Sequence, residues 1–221
     1  MSKGFNVSKI IFIKTPPKEV YVAFSGGVDS IVLLHTLLHK DIDVKLLFVH
    51  HNTEYSNQEL SFVNDVASRY NIDYIVKNIP EYDRSNSLEA FWSRQRFNIF
   101  QAMDRPVLTG HHLNDAVEWY VMSSMQGQSK VIDFRSGNIQ RPMILIKKEN
   151  IVRHANENRL EYLTDPSNFD VSFSLRNKVR HELIGNIKNC FPGIETTVRK
   201  IIARNHRDSE AVEHVLIKVP E

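Results

Sequence analysis

Three observations predict an α/β fold, a parallel sheet with helices on both faces. Short apolar runs rich in β-branched and aromatic residues alternate with longer helical stretches. A Gly-Gly pair sits at the first strand-to-helix junction, in Val-Ala-Phe-Ser-Gly-Gly-Val-Asp-Ser over residues 22–30. Polar clusters follow three of the strand ends, near Ser25, His50 and Gly110. In an open parallel sheet ligands bind beyond the carboxyl ends of the strands, so these clusters are expected to converge on one crevice.

The elements follow in order. Residues 20–24, 44–49, 74–76 and 107–109 read as strands, and 10–13 as an extra edge strand. Residues 30–39, 57–70, 88–102 and 113–125 read as helices. The first of these is apolar on nearly all sides and is expected to be buried. After about residue 145 the pattern turns helical, interrupted by a turn at Asp165-Pro166-Ser167-Asn168. The expected organisation is a core over 1–145 and a basic helical extension of the same domain over 146–221.

Composition is that of an ordinary globular chain: 221 residues, 42% hydrophobic, 24% charged, net charge +2. The charge is unevenly spread. Between Arg176 and Arg207 eight Lys/Arg face two acids, Glu182 and Glu195, a local excess of +6. Such a run is either a solvated helical face or a patch for RNA phosphates. The single cysteine, Cys190, excludes a disulfide framework and a cysteine-rich metal site within the chain. No apolar run has the length of a signal peptide or a membrane span, so a soluble, cytoplasmic protein with no membrane partner is expected.

Ser25, Gly26, Gly27, Val28, Asp29 and Ser30 fit neither the Walker A nor the GxGxxG spacing. Two adjacent glycines let the backbone approach an anion where a helix start points unpaired N–H groups outward. The hydroxyls of Ser25 and Ser30 can donate to phosphate oxygens. Asp29 does not favour a bare phosphate, so Mg²⁺ or a cationic group is expected beside it. The bland alternative is a capped turn with Ser or Asp as N-cap.

Further along, His50-His51 ends the second strand. In Gly-His-His-Leu-Asn-Asp-Ala-Val-Glu-Trp, His111, Asp115 and Glu118 share one face if the segment is helical. Two acids three apart can hold Mg²⁺ or an ammonium group; ordinary surface pairing is the alternative. Basic residues recur at Arg94, Arg96, Arg141, Arg176, Arg180, Arg199 and Lys200.

The Ser-Gly-Gly-x-Asp-Ser motif after an apolar strand resembles the PP-loop of the N-type ATP pyrophosphatases. The succession SGGxDS, HH, ExxxxRxRF, GHHxxDxxE, RP, DxSNxD and RNxxR resembles the tRNA(Ile)-lysidine synthetase family over residues 18–185. The resemblance implies a Rossmann-like PP-loop domain that uses ATP and Mg²⁺. It implies adenylation at C2 of a wobble cytidine, followed by displacement of AMP by the amine of free lysine. His51, rather than His50, and His111 are then expected beside the nucleotide, with residues 25–30. Asp29, Asp115, Glu118 and Arg141 are expected to act in catalysis, Asp115 and Glu118 holding lysine and Asp29 the Mg²⁺. Arg94, Arg96, Arg176, Arg180, Arg199 and Lys200 are expected on the anticodon loop of tRNA. Whether the chain self-associates as a homo-oligomer stays open.

The chain departs from that family pattern at Asn114, Trp119, Ser93 and Gln126, where an acid, a threonine, an arginine and an arginine are usual. Many members carry further C-terminal domains that grip tRNA, and 221 residues reach about as far as the catalytic domain and its linker helix. Two competing expectations are a tRNA-thiolating PP-loop enzyme and a catalytically weakened ATP- or tRNA-binding regulator. The thiolating relatives lean on paired cysteines, against which the lone Cys190 argues.

Overall fold

The computed structural model describes residues 10–40, 42–82, 84, 87–165 and 174–217, with side chains to residue 209. Six strands are β1 (Glu19–Ala23), β2 (Asp43–His50), β3 (Tyr74–Asn78), β4 (Val107–Leu108), β5 (Arg135–Ser136) and β6 (Ile139–Gln140). They form one sheet in the order β3-β2-β1-β4-β6-β5, parallel except for the β5–β6 hairpin. The helices are α1 (Val28–Leu38), α2 (Glu54–Tyr70), α3 (Leu88–Gln101), α4 (Leu113–Met125), α5 (Lys148–Glu157), α6 (Leu175–Lys178), α7 (Ile184–Cys190) and α8 (Ile194–Ile217). A π-helical turn, Val179–Leu183, joins α6 to α7.

Alternation along the strands sends side chains to two cores. Val20 and Val22 of β1, Phe24 just after it, and Leu46 and Phe48 of β2 pack with Leu33 and Leu37 of α1 and Val63 and Val66 of α2. Ile151 and Ala155 of α5 join the same cluster, so α5 is built into the first core. Tyr21, Leu47 and Val49 face the other way, onto Phe91 and Phe100 of α3. A third cluster sets Leu113 and Val117 of α4 against Val198 and Ile202 of α8. Side chains such as Phe48 and Leu33, almost wholly buried, each contribute about 1.5–3 kcal/mol of transfer free energy.

Local capping sets several helix starts. Thr53 accepts from the Ser56 N–H at the start of α2, Ser87 from Ala90 at α3, and Ser174 from Asn177 at α6. The α4 start has a reciprocal box between His112 and Asp115. The Thr53 cap explains why α2 begins at Glu54 rather than at the expected residue 57.

One expectation about the sheet needs correction. Residues 10–13 form no strand: Ile10 is buried in the first core, and Ile13 donates one backbone bond, to the Pro142 carbonyl at 3.2 Å. Pro16 and Pro17 follow at once and supply no ladder donors. Beyond β4 the sheet continues through β6, with Val107 opposite Ile139, to β5 at the edge. Asn138 holds this hairpin by donating to the carbonyls of Phe100, Met103 and Arg105 at the end of α3. Strands of two residues leave too little periodicity to be read from sequence.

Candidate active site

A cavity of about 610 Å³ opens beyond the carboxyl ends of β1, β2 and β4. Its walls include Ser25, Gly27, Asp29, Ser30, His51, Glu59, Arg96, His111, Asp115, Arg176 and Arg180, so most of the expected clusters meet in one place. The size is that of a small-molecule site.

The first wall is made of backbone. Gly26 has φ +76°, and a Cβ there would lie 2.8 Å from Phe62 and 3.1 Å from Leu163. Its carbonyl accepts from the Leu163 N–H at 2.9 Å, which ties the loop carrying Asp165 to the motif. Gly27 is the N-cap of α1, and no side chain caps it. The Ser30 hydroxyl donates back to the Gly27 carbonyl at 2.9 Å and is thereby committed, while Ser25 is exposed. The first N–H groups of an apolar, buried helix therefore face the cavity without a protein acceptor from a cap, the arrangement that suits an anion. Gly110 permits a close approach on the far side: a Cβ there would lie 3.0 Å from the Asp29 backbone.

Asp29 does have a cationic neighbour. Lys148 Nζ, at the start of α5, donates to both carboxylate oxygens at 2.6 and 2.7 Å. His112 Nε2 lies 3.6 Å from the same carboxylate. Asn114, where an acid was expected, accepts the Lys148 backbone N–H at 3.0 Å and so caps α5, which Lys147 leaves uncapped.

The second wall is made of charged side chains. Asp115 and Glu118 on α4 are buried. Arg176 donates to Asp115 at 2.6 Å and Glu118 at 3.0 Å. Arg180 donates twice to Glu118, at 2.8 Å each, and reaches Asp115 at 3.4 Å. Burial alone would raise the Asp115 carboxyl, but His112, Arg176, His111 and the His112 backbone N–H outweigh it and hold it far below the usual range. Arg176 and Arg180 are thus brought into the cavity rather than onto an outer surface.

The expected helical face through His111 does not exist. Helix α4 starts at Leu113 with His112 as its cap, so His111 precedes it and enters the cavity from the loop. Its Nδ1 lies 2.8 Å from the Thr109 hydroxyl, and burial holds the ring down at about 3. His51 also lines the cavity, 3.0 Å from the Arg96 guanidinium and stacked at a tilt on Trp92. Burial, with Arg96, lowers it to about 4, so both rings are neutral at pH 7. His50 points elsewhere, to Asn52 and Asn57.

Other expected residues lie apart from the cavity walls. Arg94 is exposed on α3, and Arg199 and Lys200 lie on α8, Lys200 exposed. Arg141 donates to the Asp133 carbonyl at 2.9 Å, and its buried Nε finds no partner among the described residues. Burial lowers its guanidinium to about 10. Cys190 is exposed at the end of α7 and is not part of the cavity. Ser167 and Asn168 lie outside the described residues. Among the described residues no helix is long and apolar enough to cross a membrane.

Glu59 was not singled out from the sequence. It occupies the cavity wall on α2, one turn ahead of buried Val63 and two ahead of Val66, a position on the inward stripe that would have marked it. Burial raises its carboxyl to about 7, and Asp165 adds to the rise.

A mostly parallel sheet whose first strand runs into a glycine-built, uncapped helix start defines the class, an open α/β protein with a helix start at its crevice suited to an anion. A family model described as a PP-loop domain matches residues 5–187, and the chain belongs to that family. It is 34% identical over 196 residues to the tRNA(Ile)-lysidine synthase of Persephonella marina, covering 80% of this chain and 43% of that protein. It is 27% identical over 201 residues to the tRNA(Ile)-lysidine synthase of Francisella tularensis subsp. novicida, covering 85% and 50%. The chain spans about half the length of the curated relatives it matches. Among solved structures it is similar to an NH3-dependent NAD synthetase from Campylobacter jejuni, at 16% identity and a TM-score of 0.47 over 95% of this chain and 90% of that one.

Proposed function

We propose that the chain is an ATP-dependent RNA-modifying ligase. It adenylates the 2-oxo oxygen of the wobble cytidine of tRNA(Ile), releasing pyrophosphate, and joins lysine at C2 with release of AMP. The observation that carries this reading is the meeting, in one cavity, of an uncapped helix start and Asp115, which forms a buried carboxylate pair with Glu118 behind the wall. The first suits the phosphates of ATP, and the second suits an ammonium substrate. The names of the relatives agree with it.

In this reading the backbone of residues 25–30 holds the phosphates, with neutral His51 and His111 beside the nucleotide. Asp115 and Glu118 exchange Arg176 and Arg180 for the ammonium of lysine. The freed guanidiniums then face the negative charge that develops at the α-phosphate. Mg²⁺ takes one or two carboxylates plus phosphate oxygens, and Asp29 offers one carboxylate. Among the described residues no cluster of three or more ligating side chains stands ready for a metal, so the donor set fits Mg²⁺ only together with the phosphates. When bound it would neutralise phosphate charge, with Asp29 leaving Lys148 to hold it. Arg94, Arg199 and Lys200 are offered for the phosphates of the tRNA. Residues 146–221 extend the 1–145 core as one domain.

The test is pyrophosphate exchange and AMP release with tRNA transcript and lysine added in turn. Exchange should require the transcript, and stoichiometric AMP release should require lysine as well. AMP release indifferent to both would overturn the reading.

A further inference from the structure

We propose that Glu59 is the general base that takes the proton from the amine nucleophile. The inference rests on the ligase reading above and assigns a residue to the second half of that reaction.

Two kinds of carboxyl stand at the cavity: Asp115 on its wall with Glu118 buried behind it, and Glu59. Asp115 and Glu118 receive guanidinium hydrogen bonds at 2.6–3.0 Å, and Asp115 also accepts the His112 N–H at 2.9 Å. Asp115, held far below the usual carboxylate range, keeps a bound ammonium charged and does not accept its proton. It suits the amine of lysine that stays protonated. The attacking amine needs a different partner, because an ammonium has no lone pair.

Glu59 lies on the same cavity, half-buried on α2. Its carboxyl makes no hydrogen bond among the described residues. Charged and titratable groups from several elements share the cavity with it, and Asp165, Arg96 and Tyr55 act on it electrostatically. Arg96 and Glu89 face the cavity from α3, His51 from the end of β2, Asp165 from the loop after Leu163, Tyr55 from its own helix, and Arg176 from α6. Burial first and Asp165 second raise the carboxyl, and Arg96 offsets them in part, leaving it at about 7. A base acts best when its pKa lies near the working pH. Two carboxyls pushed apart by their surroundings, here Asp115 down and Glu59 up, are how one site assigns such roles.

The step balances. The ammonium gives one proton to the Glu59 carboxylate and becomes a neutral amine. Its lone pair forms the C–N bond to C2, and the C2–O bond to AMP breaks with both electrons leaving on AMP. The proton on Glu59 passes to solvent.

The experiment uses Glu59→Gln in the full chain, with the two half-reactions read separately. Pyrophosphate exchange should stay within about twofold of wild type. Lysine transfer should fall by roughly 10²- to 10⁴-fold, the range for a lost general base. The wild-type transfer rate should rise with pH through an apparent pKa near 7, and the variant should lose that limb. Hydroxylamine, a weakly basic amine already neutral at pH 7, should narrow the gap between variant and wild type. Equal transfer by both proteins, or equal loss in both half-reactions, would overturn the proposal. Its failure is separable from that of the ligase reading, in which wild type itself would show neither half-reaction. Carbon-detected NMR of labelled glutamates gives a readout free of activity: one carboxyl, absent in the variant, should titrate near pH 7. If every glutamate titrates in the ordinary carboxylate range, Glu59 is not the base.

Discussion

The two walls of the cavity are built by opposite means. At the strand β1–helix α1 junction, six consecutive residues and their backbone do the work, with no capping side chain. Across the cavity, Asp115 and Glu118 meet Arg176 and Arg180, partners 58 to 65 residues away in the chain. The first wall is a local conformation that glycine makes accessible. The second is a balance of buried charges that exists only in the folded chain. Backbone N–H groups present fixed partial charge, which suits a ligand common to many enzymes. Exchangeable side-chain ion pairs suit the part of the reaction that must discriminate.

The difference can be broken from the charged side first. Replacing both arginines, Arg176→Ala with Arg180→Ala, strands two buried carboxylates. The expected cost is roughly 3–5 kcal/mol of folding stability, read by urea denaturation at pH 7. Stability within about 1 kcal/mol of wild type would mean that the clamp is not buried in solution. Glu118→Gln keeps the shape and removes one charge. It should raise the KM for lysine roughly 10- to 100-fold, the worth of a charge-assisted bond, and leave pyrophosphate exchange unchanged. An unchanged KM would remove the pair from lysine binding.

The backbone wall responds by strain. Gly26→Ala places a Cβ at φ +76° and against Phe62, with an expected cost of roughly 1–3 kcal/mol and weakened ATP binding. Calorimetric titration with a non-hydrolysable ATP analogue checks the second effect, and wild-type affinity would argue that the loop does not hold the phosphates. The smallest effect is expected outside the cavity. For a grip of about four to six phosphates, log K for tRNA against log salt should slope roughly −3 to −5. Arg199→Ala with Lys200→Ala should make that slope shallower by about 1 to 2. Matching slopes would leave α8 a solvated face.

The same contrast explains what was legible in the sequence. The motif at 25–30 could be read because its chemistry is contained in six neighbours, and strand–helix alternation placed it correctly. That Asp115 and Glu118 share one face of α4 was also visible, from their three-residue spacing. What occupies them was not, since pairing across some sixty residues leaves no periodic trace. Asp29 called for a cation by its sign, but Lys148 is 119 residues distant. The His111 face failed because α4 starts at Leu113, where the helix was read, with His112 as its N-cap, so His111 lies before the helix. Glu59 was missed because a carboxylate on an amphipathic helix reads as surface unless its register against Val63 and Val66 is followed. The β5–β6 hairpin is too short for any pattern and is held by Asn138 instead.

The central claim is that one cavity joins a lysine amine to a cytidine through an adenylated intermediate. Mass spectrometry of nucleosides from an unmodified tRNA pool, incubated with the protein, ATP and lysine, tests it most directly. The expected result is a cytidine bearing lysine in place of its 2-oxo oxygen. It should form only when ATP and lysine are both present, and it should be lost in Asp29→Ala with the fold intact by circular dichroism. ATP consumed with no lysine-bearing cytidine, or the same product from Asp29→Ala, would contradict the account.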